Sequence, residues 1–340
     1  MLVLGIETSC DETSASLISD NNQLISNVVV SQDEIHEQHG GIVPELASRQ
    51  HIKKIDDVVK RAVVGVGAKF SDLDLIGVTN GPGLAGSLIV GVNYAKGLGI
   101  SLSRPVIGVN HLKAHVYASW IKKDLSKDVS FEIPTEYPLM CIIVSGGHTD
   151  LVKLDSFGEF TLIGRTRDDA AGEAFDKVAR LLGLRFPGGP EVDKYAQTST
   201  ERFDFPRAYM PHTHDFSFSG MKTAFLNLSK SQKPYNPDKI SKLCNTFQEA
   251  MVDVITKKTI DASHKNYCKG IILTGGVASN SLLREEMVRK SDIPVFVPDK
   301  KLCTDNGAMV ASFVTENYKN YKKLTTNNLD IFPSLGYSDI

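Results

Sequence analysis

Apolar residues follow two rhythms along this chain: short continuous runs of strand length, and longer stretches in which they recur every three or four positions. The run from Leu2 to Ile6 breaks into Glu7, Thr8, Ser9, Cys10, Asp11, Glu12, Thr13 and Ser14, then resumes from Ala15 to Ile18, which predicts two strands joined by a polar turn. In "ELASRQHIKKIDDVVKRAVVGV", residues Ile52, Ile55, Val58, Val59 and Ala62 fall at helical spacing. "LDLIGVTNGPG" then predicts a buried strand, and "AGSLIVGVNYAKGLGISL" a helix of small residues suited to close packing on a sheet. "RPVIGVN" is the next strand, and it runs straight into the helical "HLKAHVYASWI".

The polar, proline-bearing stretch from Lys123 to Pro138 reads as a connection, after which the pattern starts over. "YPLMCIIVSGGHTDLVKLD" repeats the strand, small-residue turn and strand of the opening. A helix over 168–183, a Gly/Pro loop, an irregular His-rich segment and helices near 236–265 follow. The strand "GIILTGGVASN" and a terminal helix beginning at "DNGAMVASFV" complete the series, and the chain beyond Lys322 reads as loosely ordered. Two such hairpins, each followed by helices and strands, predict an α/β protein with duplicated mixed sheets in two lobes and a central cleft, the plan of actin, sugar kinases and Hsp70. The lobes are expected at 1–110 with a returning helix at 306–325, and at 111–305, with a tail at 326–340.

At 340 residues, 41% hydrophobic and 23% charged, the chain has material for two such domains. A net charge of -2 does not announce nucleic acid, so any such partner needs a local patch or a helper protein. The five cysteines, Cys10, Cys141, Cys244, Cys268 and Cys303, are scattered without a CxxC pair, which argues against a disulfide framework and a zinc ribbon. A reducing cytoplasm is expected, since the N-terminus begins directly with a strand and no apolar run approaches a membrane span.

Candidate chemistry gathers at the breaks between elements. His111 and His115 in "NHLKAH" are four apart, which places both imidazoles on one helical face within reach of one ion. Leu112 stands where the protease motif HExxH carries its glutamate. Asp305, at the start of a predicted helix, is a candidate third ligand, and two histidines with one carboxylate suit Fe(II) or another divalent ion. Gly-rich turns end three strands, in "TNGPGLAGSL", in "IVSGGHT" from Ile143 to Thr149, and in "ILTGGVASN" ending at Asn280, where backbone amides can meet an anion. Tight turns use the same glycines.

Along the helix "DDAAGEAFDKVARLLGL", Asp169, Glu173, Asp176 and Arg180 share one face, opposite Ala171, Ala174, Phe175, Val178 and Leu182. The loop "FPGGPEVD", Phe186 to Asp193, adds acidic residues able to hold ribose hydroxyls. "PHTHDFSFSGMKTA" carries His212, His214, Ser217, Ser219 and Lys222 between Phe216 and Phe218, the pattern of a half-buried strand or of a substrate-facing loop. His36, His39, Arg49 and His51 in "HEQHGGIVPELASRQH" have spacings too irregular for a metal cluster.

Taken together and in order, "GIETSCDETS", "HGGIVPELASRQH", "NHLKAH", "VSGGHTDLV", "DDAAGEAFDKVARLLGL", "PGGP", "FSFSGMKTA", "LTGGVASN" and "TDNGAMVA" resemble one family from about Leu2 to Val314. It is the universal tRNA N6-adenosine threonylcarbamoyltransferase family, once called the O-sialoglycoprotein endopeptidase family, and Cys10, Asp11 and Glu12 resemble its bacterial form. The resemblance implies the two-lobed actin-like ATPase fold with the active site in the cleft. It implies that His111, His115 and Asp305 bind one divalent metal, Fe(II), and that Ile143, Val144, Ser145, Gly146, Gly147, Asp176, Gly189, Asp193 and Asn280 contact the adenylate substrate. The implied reaction moves threonylcarbamoyl from threonylcarbamoyl-AMP to the adenosine 3′ of the anticodon in tRNAs reading codons that begin with A. Implied partners are a homologous inactive subunit, a small ATPase and a separate synthase that makes the adenylate. Asp11 and Glu12 are candidates to relay the amine's proton, and Lys222, Lys230, Lys233, Lys319, Lys322 and Lys323 are candidates to meet tRNA. Two other readings stay open at this point: a sugar- or acetate-kinase-like phosphotransferase, and a metal-dependent glycoprotease.

Overall fold

The computed structural model describes residues 1–122, 134–156, 158–318 and 328–337. In chain order the first elements are β1 (Leu2–Glu7), β2 (Thr13–Ser19), β3 (Leu24–Val30), α1 (Asp33–Glu37), α2 (Pro44–Val63), β4 (Leu75–Gly81), α3 (Ala85–Leu102), β5 (Val106–Asn110) and α4 (His111–Tyr117). The series continues with β6 (Leu139–Val144), β7 (Thr149–Ser156), β8 (Glu159–Arg165), α5 (Ala171–Leu182), α6 (Gly188–Ala196), α7 (Ser219–Ser231) and α8 (Pro237–Lys265). It ends with β9 (Gly270–Thr274), α9 (Ser281–Lys290), β10 (Val295–Phe296), α10 (Lys300–Cys303) and α11 (Gly307–Asn317). By packing, these form one unit of Met1–Pro134 with Asp305–Ile340, and a second of Thr135–Thr304. The sequence reading set its junctions at 110/111 and 305/306. The first falls inside the first unit because α4 follows β5 without a break and packs on α11.

The first unit holds a five-stranded sheet in the order β3-β2-β1-β4-β5, antiparallel across β1, β2 and β3 and parallel across β1, β4 and β5. Within β1, alternate side chains face opposite sides. Leu4 and Ile6 enter a core with Ile55, Val58, Val59 and Ala62 of α2 and with Val92 and Ala95 of α3. Gly5 faces the other way, against α11: a Cβ at Gly5 would lie 2.1 Å from the Gly307 carbonyl oxygen. That close approach is what puts Asp305, just before α11, at the end of this sheet.

The second unit repeats the plan strand for strand, in the order β8-β7-β6-β9-β10, antiparallel across the first three and parallel across the last three. The duplication anticipated from the two hairpins is therefore a duplication of topology. Its core joins Met140, Ile142 and Val144 of β6 to Phe175 of α5, Phe225 of α7 and Phe247 of α8.

Three local expectations change. The helix expected over 168–183 begins at Ala171, because Asp168 is drawn to another helix: its carboxylate accepts the Phe218 and Ser219 amides at 2.8 and 3.3 Å and the Ser217 and Ser219 hydroxyls. The alternating "FSFS" segment is neither a strand nor an open loop; it makes one bridge, Thr166 to Phe216, buries Phe216 and Phe218, and turns into α7. The described part of the expected loose tail, 328–337, is packed on the first unit. There the Phe332 amide donates to the Asn80 carbonyl at 2.7 Å, and Leu335 and Tyr337 are buried.

Candidate active site

In the first unit, β5 ends at Asn110, whose side-chain oxygen accepts the Leu112 and Lys113 amides at 3.0 and 3.1 Å and so caps α4. The cap places His111 and His115 one turn apart, with ring centroids at 4.7 Å. Asp305 precedes Asn306, the cap of α11. Tyr117 of α4 packs edge-on against Phe313 of α11 at 5.1 Å, and the Ser312 hydroxyl donates to the Tyr117 carbonyl at 2.9 Å. These contacts hold the two helices together. Asp305 Oδ1 consequently lies 3.0 Å from His115 Nε2 and 3.6 Å from His111 Nε2. The three side chains present ligand atoms within 4.8 Å of one another, a spacing at which one ion can meet two imidazoles and a carboxylate.

Behind His111 stands Glu7, fully buried at the end of β1 and the one charged residue of that strand. His111 Nδ1 lies 3.1 Å from Glu7 Oε2 and 3.1 Å from Ser9 Oγ. The Thr79 hydroxyl donates to Oε2 at 2.5 Å and the Ser9 amide to Oε1 at 2.5 Å. Burial on its own would lower the His111 pKa; Asp305 and Glu7 outweigh it and raise it to about 9. Burial would raise Glu7, but the facing His111 and the hydrogen bonds from His111 and Thr79 hold it below the usual carboxylate range.

The β1–β2 tip carries the carboxylates that drew attention in the sequence. Burial, then the charges of Asp305 and Asp11, pushes Glu12 well up. Burial likewise raises Asp11, with a hydrogen bond to Glu12 acting against it. Burial and the neighbouring Asp11 push the Cys10 thiol up, so it stays protonated. His51 fixes this tip from α2. Its Nε2–H donates to the Cys10 carbonyl at 3.0 Å, which leaves Nδ1 to accept from the Thr13 hydroxyl at 2.8 Å. Thr8 belongs to the packing: it is fully buried, and its hydroxyl donates to the Ser87 carbonyl at 2.9 Å. His36 is buried beside Gln32, and Arg49 pairs with Glu45 along α2.

In the second unit the residues assigned to the adenylate form one connected set. Ile143 and Val144 have fully buried side chains, so the reachable part of "IVSGG" is Ser145, Gly146 and Gly147. Gly146 and Gly147 are exposed, and nothing lies within 4 Å of a Cβ built on either. Gly172 of α5 backs this turn and donates its amide to the Ser145 carbonyl at 3.1 Å. Asp176, on the next turn of α5, accepts the Gly188 amide at 2.6 Å, which starts α6; Gly189 beside it has open space. From α6, Asp193 accepts the Ser281 hydroxyl at 3.1 Å. Asn280 caps α9 and donates to Gln248 at 2.8 Å. Asp169, which shares a face with Asp176 on an ideal helix, lies before α5 and pairs with Lys177 and Lys222 at 2.7 and 2.6 Å. Lys222 is thus held inside the unit, whereas Lys230 and Lys233 are exposed; Lys319, Lys322 and Lys323 lie outside the described residues. His212 and His214 are not part of the one metal-type cluster found among the described residues.

Sequence reasoning found the metal-type triad and the glycine turns. It missed Glu7, Thr79 and His51 as partners. A lone carboxylate in an otherwise apolar strand was the available signal for Glu7.

A family model described as tRNA N6-adenosine threonylcarbamoyltransferase matches residues 23–312. A protein of that name from Dehalococcoides mccartyi is 48% identical over 312 residues, covering 92% of this chain and 92% of its own. One from Clostridium botulinum is 46% identical over 337 residues, covering 97% and 95%. Among solved structures, full-length HypF in its phosphate- and nucleotide-bound form matches with a TM-score of 0.58 at 14% identity, over 94% of this chain and 56% of that one. The activator of 2-hydroxyisocaproyl-CoA dehydratase from Clostridium difficile, with bound ADPNP, matches at 0.54 and 15% identity, over 95% and 97%. At those identities the likeness is one of fold, and the fold is the actin-like ATPase fold.

Proposed function

Because the chain belongs to the tRNA N6-adenosine threonylcarbamoyltransferase family, we propose that it moves threonylcarbamoyl from threonylcarbamoyl-AMP to N6 of the adenosine 3′ of the anticodon, in tRNAs reading codons that begin with A. The adenosine nitrogen attacks the carbamoyl carbon, the bond from that carbon to the phosphate oxygen breaks, AMP leaves with the electron pair, and the nitrogen loses a proton. The observation that carries this reading is the convergence of His111, His115 and Asp305 in a chain matched to the family over nearly its whole length.

The donor set fits a divalent ion, Fe(II) in this proposal, held by His111 Nε2, His115 Nε2 and Asp305 Oδ1. When bound, such an ion supplies Lewis-acid neutralisation of charge on the departing phosphate. The chain's own groups supply the rest. The exposed Gly146–Gly147 part of the turn binds the adenylate, together with Asp176, Gly189, Asp193 and Asn280 of the second unit. Positioning is the larger task, since an aromatic amine is a weak nucleophile. Asp11 and Glu12 are proposed to take up the proton the amine releases.

Buried Leu112 in place of a glutamate leaves the protease reading without its general base. The proposal includes a homologous inactive subunit and a small ATPase as partners, a separate synthase for the adenylate, and action in the cytoplasm. Among the described residues no helix is long and apolar enough to cross a membrane. The test is single-turnover transfer with metal, partner subunits, threonylcarbamoyl-AMP and unmodified tRNA, read by mass spectrometry of the digested tRNA. Modified adenosine is expected with the native chain and not with His111→Ala; no modification by the native chain with competent partners would overturn the assignment.

A further inference from the structure

We infer that Glu7 is a positioning residue for the metal centre, setting which nitrogen of His111 is free to bind. The inference rests on reading His111, His115 and Asp305 as metal ligands. An ionised carboxylate can only accept, so at 3.1 Å from Glu7 Oε2 the His111 Nδ1 carries its proton toward Glu7. That leaves Nε2 as the ligand atom, and Nε2 is the nitrogen that faces Asp305. Metal-binding histidines are held and tuned in this way by a carboxylate on the other ring nitrogen.

Glu7 is itself held from three directions. The Ser9 amide points at Oε1, while the Thr79 hydroxyl and His111 point at Oε2, and the side chain has no exposure to solvent. The arrangement predicts what an isosteric amide would do. A backbone amide cannot turn away, so Oε1 must remain an oxygen in Glu7→Gln, and the new NH2 takes the Oε2 position. The Thr79 hydroxyl can rotate and accept from it. His111 cannot: with a donor in place of Oε2, Nδ1–H keeps only Ser9 Oγ, at 3.1 Å, as an acceptor, and the tautomer with its proton on Nε2, the atom the metal needs, is favoured.

Co(II) titration of the metal-free full chain, followed by visible d–d absorption and by calorimetry, tests this without relying on activity. Glu7→Gln is expected to weaken Co(II) binding about 10- to 100-fold and to alter the d–d spectrum, with His115→Ala as the no-site reference. Native-like affinity and spectrum in Glu7→Gln, with binding abolished in His115→Ala, would overturn the inference alone. Co(II) binding to the native chain no tighter than to His115→Ala would overturn the metal reading and this inference with it. Thermal melting of each metal-free variant separates a structural role: a lowered melting temperature with unchanged Co(II) affinity also counts against the inference. Should Glu7→Gln fail to fold, Thr79→Val removes one donor to Oε2 and is expected to weaken Co(II) binding severalfold; unchanged affinity there would overturn it.

Discussion

Gly172 offers a sharp test of how the Ser145–Gly147 turn, proposed to bind the adenylate, is built. It is the second residue of α5, and its Cα lies against the turn that ends β6: a methyl group there would sit 2.7 Å from the Ser145 carbonyl oxygen, 2.8 Å from Gly146 Cα and 2.9 Å from Gly146 N. All three are backbone atoms, so no side chain can swing aside. The turn is also fixed from its other end, where the Ser145 amide donates to the His148 carbonyl at 2.8 Å and the His148 amide to Ser145 Oγ at 3.0 Å. Gly172→Ala therefore moves the turn or the helix by about half an ångström, at a cost of about 1–3 kcal/mol of overpacking. Helix propensity returns up to about 1 kcal/mol. Net destabilisation of about 0–2 kcal/mol is expected, which melting curves read separately from the functional effect. If a displacement of about 1 Å costs two orders of magnitude, half of it costs about tenfold, or about 1.4 kcal/mol. The assay is steady-state transfer to tRNA over a range of threonylcarbamoyl-AMP concentrations, alongside melting curves. The loss should fall mainly on KM for the adenylate. Gly220→Ala is the control, since nothing lies within 4 Å of a Cβ on that helical glycine. Activity within twofold of native in Gly172→Ala, with an unchanged melting temperature, would refute the claim that this glycine sets the turn.

Gly307→Ala places a methyl 2.5 Å from the Gly5 carbonyl oxygen and 2.8 Å from the Ser16 amide nitrogen, and is expected to cost about 3 kcal/mol in urea denaturation. Ending the chain at residue 328 removes buried Leu335 and Tyr337 and the bonds to Asn80 and Asn110; a loss of about 3 kcal/mol or more is expected in thermal unfolding. Removing metal with a chelator should abolish transfer, and added Fe(II) or Co(II) should restore it to the native chain but not to His115→Ala. Hydrogen bonds and charge from Arg289 and Lys290 lower the Glu286 pKa from 4.5 to about 2, so its contribution to stability is present above pH 4.5 and lost as pH falls toward 2. Glu286→Gln should accordingly be less stable than the native chain at neutral pH, with the gap closing over that acid range in pH-dependent urea denaturation.

Much of this architecture was legible because its signals are local. Strand β1, the small-residue helix α3 and the start of α11 each declare themselves by periodicity or by a cap, and the HxxxH pair needs only the pitch of a helix to share a face. The family resemblance then bound individually weak motifs into one specific pattern. Local signals failed where a residue is claimed from afar. Asp168 has the composition of a helix start, yet it caps α7 some fifty positions later in the chain, and α5 begins after it. The segment 328–337 is short and has no helical or strand period, and it is ordered by packing Leu329, Ile331, Leu335 and Tyr337 on the first unit with bonds to Asn80, Gly83 and Asn110.

The sequence by itself determined most of the elements, the duplicated plan and the histidine pair of the metal-type cluster, because each depends on residues close together along the chain. Tertiary structure alone decided that Asp305 meets histidines about 190 positions earlier, that Glu7 rather than the carboxylates of the tip stands behind His111, and that Thr8 packs while Gly146 stays open. Those outcomes depend on how closely separate elements approach, and that distance is set by glycines at contacts such as Gly5 with Gly307, where a few tenths of an ångström separate a contact from a clash.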